Sequence, residues 1–191
     1  MKKFRRGFKT DANKIANEIR SELGLGTLDR LDPHKLADWL AIPIIGLTDL
    51  RADAPAIGHL LDVETDVFSA VTVFDGTRRL IVHNDGHALT RQASNLCHEL
   101  AHGLLGHPPT PGLDDRGCRV WDDTIEDEAS WLGGILLVTE AATMAIGRGQ
   151  WTQRTAARHF GVSEPMIRFR MNSTGAIVRV QRANQVRRKF K

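Results

Sequence analysis

The sequence predicts an α+β protein in which a small antiparallel sheet packs on helices. Three observations carry that expectation. Two β-rich runs, residues 70–74 and 79–83, flank a turn containing Asp75-Gly76-Thr77, which spells a hairpin. Helical patterns lie on both sides of it, at residues 11–23 and 90–106, so the sheet precedes a central helix instead of alternating with helices. The chain has 191 residues, 41% hydrophobic and 26% charged, enough for one soluble core with a small appendage.

The elements follow from local punctuation. Residues 11–23 form an amphipathic helix stopped by Gly24, and Asp32-Pro33 opens a second through Leu40. Residues 42–47 are short and apolar and read as a strand. Residues 49–55 read as a loop and 57–61 as a further strand. The hairpin comes next. From Thr90 to Gly106 there is no proline, and Ala93, Leu96, Leu100 and Leu104 recur at three and four. Asp85 or Thr90 is the expected cap of that helix, and Gly106 before Pro108-Pro109 its stop. A Pro-, Gly- and Asp-rich loop over residues 107–123 leads to a helix over 124–143, capped by Thr124 or Asp123. Residues 155–171 read as helix, Gly161 turn, and a second helix capped by Ser163, a helix-turn-helix-like spelling. The expected division is a core over 1–147 and a basic segment over 148–191.

Charge follows the same division. Residues 1–9 carry +5, residues 10–147 carry −12, and residues 148–191 carry +10, which the overall +3 conceals. The acidic body suits a basic protein partner. The basic segment permits weak DNA contact, although helices that buttress the core beneath a solvated arginine face explain it as simply. Cys97 and Cys118 form no disulfide framework, and no secretory or membrane-spanning run is evident, so a cytoplasmic setting is expected. Cys97 reads as a small buried hydrophobe.

The chemistry concentrates at His98-Glu99-Leu100-Ala101-His102. Histidines four apart share one helix face and can converge on a zinc ion, with Glu99 beside the open position. A core helix with merely hydrogen-bonded histidines is the plainer alternative. A catalytic zinc needs a third protein ligand. In H-E-x-x-H-x-x-G-x-x-H it is a third histidine, but Leu105 and Pro108 stand where that pattern needs Gly and His. His107 lies past the helix stop, where the helix dipole alone accounts for it. The acids Glu126, Asp127 and Glu128 open the later helix, which dipole complementation also explains. Glu126, however, continues a face of small and apolar residues through Ala129, Gly133 and Leu136. That face suits close packing on the helix of Ala101 and Gly103. Glu128, on the face of Leu132 and Ile135, is the second choice.

These residues resemble a known family. H-E-L-A-H-G-L-L-G-H, followed by I-E-D-E-A-S-W-L-G-G-I-L-L-V, is similar to the two motifs of the ImmA/IrrE metallo-endopeptidases, and the N-terminal region resembles theirs more loosely. The second motif runs approximately E-x-x-A-N-x-F-A-x-x-L-L-M-P. Aligned here, the ligand Glu falls on Glu126, its small residue on Ala129, its Asn or Asp on Ser130 and its terminal Pro on Thr139. The resemblance implies a zincin-like core, a zinc ion held by His98, His102 and Glu126, and support of a ligand by Ser130, a shorter hydrogen-bonding group than Asn. It also implies an edge strand beside the cleft on which substrate lies extended. A helix-turn-helix repressor or other regulatory protein is the implied substrate, often within stress responses or mobile elements.

The expected reaction is peptide hydrolysis through a zinc-activated water, with Glu99 as general base and then proton donor to the leaving amine. The chain contains no tyrosine, so a Tyr donor to the oxyanion is excluded, leaving His83, His87 or a backbone N–H. The alternative is a DNA-associated or repressor-binding module whose metal site is structural or degenerate.

Overall fold

The computed structural model describes residues 4–52, 54–108 and 122–189. Most of the loop between the two motifs, with Cys118, lies outside them. Helix α1 (Phe8–Glu22) buries Phe8, Ala12, Ala16 and Ile19, and α2 (Pro33–Trp39) starts where Asp32 accepts from the His34 N–H. Strand β1 (Ile44–Gly46) runs straight into a short helix α3 (Leu47–Leu50), and α4 (Pro55–Asp62) follows. The expected loop over 49–55 thus contains the end of a helical turn. The expected strand over 57–61 is helix, because Pro55 at the first helical position presets the backbone for it.

The hairpin forms as expected. Strands β2 (Ala70–Asp75) and β3 (Arg78–His83) pair antiparallel from Ala70 opposite His83 to Asp75 opposite Arg78, and Gly76 supplies the positive φ of 59° in the turn. The sheet is nevertheless mixed, in order β1-β3-β2, since β1 runs parallel to β3. The α3–α4 segment supplies the crossover that a parallel pair requires. Among the described residues β2 is an edge strand.

Helix α5 (Leu89–Leu104) crosses this sheet and buries Leu96, Cys97, Leu100 and Ala101. Neither expected cap starts it. Ala88 occupies the cap position, Thr90 lies inside the helix, and Asp85 instead accepts from the Thr48 N–H at 3.1 Å. Helix α6 (Asp123–Leu137) is capped by Asp122 and ends sooner than its pattern suggested. Val138 leaves the helix, and the Thr139 hydroxyl caps α7 (Glu140–Gly147) through the Ala142 N–H at 3.0 Å while donating to Thr27 O at 2.7 Å. The residue where the resemblance had a terminal proline therefore makes the same break by capping.

Two buried arginines hold the C-terminal end of α6. Arg20 from α1 donates to Leu136 O at 2.8 Å, and Arg170 donates to Val138 O at 3.0 Å. Both are 1% exposed and answer carbonyls that a helix end leaves unpaired. Burial lowers the Arg170 guanidinium to about 10, which leaves it charged at neutral pH. Helices α8 (Gln153–Phe160) and α9 (Glu164–Thr174) are joined by Gly161 in the left-handed region with Ser163 capping α9, and α10 (Ala176–Lys189) follows. Arg154, Arg158 and Arg168 are exposed, so the arginines of this segment divide between surface and core. Among the described residues no single helix is long and apolar enough to cross a membrane.

Candidate metal centre

The site is made where α6 lies against α5. A Cβ added at Gly133 would sit 2.9 Å from Cys97 O and 3.1 Å from the His98 N, so only glycine permits this approach. Gly103, expected on the same contact, faces the sheet instead, with Arg79 and Ile42 as its neighbours. The small-residue face of α6 carries Glu126 toward the histidines. Cys97 is fully buried in this contact, and burial pushes its thiol up, so it is inert packing.

His98 Nε2 lies 3.1 Å from His102 Nε2 and 3.1 Å from Glu126 Oε2, and His102 Nε2 lies 3.8 Å from Glu126 Oε1. Donors held about 2.0–2.1 Å from a tetrahedral zinc stand roughly 3.3 Å apart, so the three residues fit the ion in both donor chemistry and spacing. They are the metal-capable group found among the described residues. Burial, aided by the charge of neighbouring His98, lowers His102 to about 4. Its imidazole is therefore neutral at pH 7, the form that binds a metal.

The neighbouring residues take distinct positions. The Thr72 hydroxyl, on edge strand β2, donates to Glu99 Oε2 at 2.6 Å. Ser130 Oγ lies 3.3 Å from His98 Nδ1, on the side of the ring away from Nε2. Asp123, Glu126, Asp127, Asn95, His98 and Ser130 line a cavity of about 390 Å³. Glu128 turns away from the cluster toward His107. His83 and His87 are not part of it either. His83 is buried near His34, and His87 Nε2 donates to Thr65 O at 2.7 Å. Thr72 and Asn95 are site neighbours that the sequence reading does not single out, and His107, read there as a helix-end residue outside the ligand set, lies against His102. Thr72 was within reach of the hairpin's alternation, which puts it on the face of Ala70 and Phe74, toward α5.

The family model of the IrrE N-terminal-like domain, peptidase M78, matches residues 60–172. That span covers the hairpin, both motif helices and the turn through α9, more than half of the chain. The chain belongs to this family. No curated protein and no solved structure gives a match. An IrrE-like domain implies a zinc-dependent, metallopeptidase-type function, and the α+β architecture with a three-stranded sheet accords with it. Ser130, which the sequence resemblance aligns with an Asn or Asp, makes a 3.3 Å contact with His98 that is long for an oxygen–nitrogen hydrogen bond.

Proposed function

We propose that this protein is a zinc-dependent endopeptidase that cleaves a regulatory protein, best read as a helix-turn-helix repressor. The observation that carries the proposal is the convergence of His98, His102 and Glu126, next in sequence to a glutamate anchored on an edge strand. The three residues would hold zinc, which supplies an acidified water, with pKa near 7, and polarises the scissile carbonyl. Glu99 accepts the proton from the attacking water and passes it to the leaving amine. Thr72 holds one carboxylate oxygen and so limits the rotamers that Glu99 samples. The outer edge of β2 offers main-chain hydrogen bonds to an extended substrate, which would align its carbonyl with the base.

A repressor substrate draws support from the acidic character of residues 10–147, which favours encounter with a basic DNA-binding partner. A second reading, a regulatory module contacting DNA, is favoured by the α8–Gly161–α9 geometry with exposed Arg154, Arg158 and Arg168. Glu99→Gln separates the two. The variant is expected to retain about one zinc per chain and to lose cleavage of candidate repressors, with chelator abolishing wild-type cleavage. Full activity in Glu99→Gln removes the glutamate as base, and a wild-type protein free of zinc and of cleavage favours the regulatory module.

A further inference from the structure

Helix α5 ends in a way that places a third histidine behind the metal-capable cluster. Gly106 adopts φ 67°, its N–H reaches Gly103 O at 3.1 Å, and the His107 N–H reaches His102 O at 3.0 Å. This is the Schellman arrangement, which folds the residue after the glycine back onto the one five positions earlier. Those two residues are His107 and His102. Their Nδ1 atoms face each other at 2.9 Å, on the side of the His102 ring opposite the metal-facing Nε2. The other nitrogen of His107, Nε2, lies 3.5 Å from Glu128 Oε2 and makes no hydrogen bond. His107 is 8% exposed and the Glu128 side chain 13%, so water does not readily substitute for the missing partner.

Proton placement in this chain has one consistent solution. A His102 that offers its Nε2 lone pair to a metal must carry its proton on Nδ1. It then donates to His107 Nδ1, which must be the acceptor, and that assigns the His107 proton to Nε2. Among the described residues, the carboxylate beside that N–H is Glu128, 3.5 Å away. We propose that Glu128 and His107 are positioning residues that act through His102, fixing its tautomer and ring orientation so that Nε2 faces the metal. The inference rests on the zinc-site reading above and gives the two residues functions that the ligand set alone does not. It also accounts for Glu128, two residues from Glu126 yet outside the cluster. A carboxylate behind a ligating histidine raises its basicity, and losing such a partner costs about 10–100-fold in metal affinity.

The test measures zinc binding by competition with a chromophoric chelator on the full chain. His107→Ala is expected to weaken zinc about 10–100-fold while the melting temperature of the metal-free protein stays within a few degrees of wild type. Glu128→Gln, which keeps size and hydrogen-bonding capacity, is expected to weaken it in the same direction. In the double variant the losses should fall short of the product of the single ones, because both residues act on one ring. Long-range proton–nitrogen spectra of the zinc-loaded protein should show His102 protonated at Nδ1 in the wild type, with that proton's signal shifted in Glu128→Gln. Should His107→Ala misfold, the Glu128→Gln affinity and spectrum decide the matter. Wild-type zinc affinity in folded His107→Ala and Glu128→Gln overturns this inference and leaves the zinc site standing. A wild-type protein that binds no zinc overturns both.

Discussion

Thr72 donates a 2.6 Å hydrogen bond to Glu99, joining the edge strand to the carboxylate of the metal motif. A hydrogen bond to a charged group is worth about 1.5–3 kcal/mol. This one orients the carboxyl group proposed as the base. Thr72→Val keeps the shape and removes the donor. We expect kcat on a cleavable repressor to fall roughly tenfold with KM nearly unchanged, and Thr72→Ser to recover most of the loss. Steady-state kinetics check this, and a change confined to KM would place Thr72 in substrate binding instead.

Gly133→Ala tests the α5–α6 approach. Alanine ordinarily favours a helix interior over glycine by about 0.5–1 kcal/mol. Here its Cβ would press on the backbone of Cys97 and His98, neither of which can swing aside. Overpacking of this kind costs about 1–3 kcal/mol, so strain should win. The variant should melt lower and bind zinc more weakly, because α6 must back away and carry Glu126 with it. Thermal melting with and without zinc reads both effects.

Arg20→Met tests the clamp on the end of α6. Arg20 also donates to Gly26 O at 2.9 Å and to Asp29 O, but those residues are exposed and water can replace it there, so its loss strands the buried Leu136 carbonyl. A stranded buried acceptor costs about 1–3 kcal/mol, less what the apolar methionine regains by filling the space. Chemical denaturation should show a loss of about 1–3 kcal/mol. Zinc affinity per folded molecule should change little, since the clamp lies at the opposite end of α6 from Glu126.

Acid should destabilise the metal-free protein. Burial lowers both His102, to about 4, and His83 below the ordinary histidine value of 6.5. Their unfolded forms therefore bind protons first as pH falls, which draws the equilibrium toward the unfolded state. Stability should be full above about pH 6.5 and fall between there and about pH 4. Melting temperatures across that range check the slope. His83→Gln should make the dependence shallower without touching the metal ligands.

Much of this was legible in the chain because it depends on near neighbours. Histidines four apart must share a face once the segment is helical, and Asp75-Gly76-Thr77 must turn once it lies between β-rich runs. The Gly161 turn and the Ser163 cap follow for the same reason. Local signals mislead where two of them compete. Pro55 argued for helix while the apolar run after it argued for strand, and the helical period of α6 ran on past the Thr139 cap that ends it.

The sequence by itself determined the donor set available to a metal and the helix that carries two of its members. It did not determine which acid completes the set. Glu126 and Glu128 lie two residues, about 200°, apart around α6, so the choice rests on how that helix is rotated. Packing decided the rotation, since Gly133 lets α6 touch the α5 backbone, and that contact brings Glu126 to His98 and His102. The same contact sends Glu128 to His107, which the Schellman turn at Gly106 had already folded onto His102. Tertiary structure was needed because hydrophobic periodicity names the buried face of a helix only to within a residue or two, while a metal site is sensitive to fractions of an ångström.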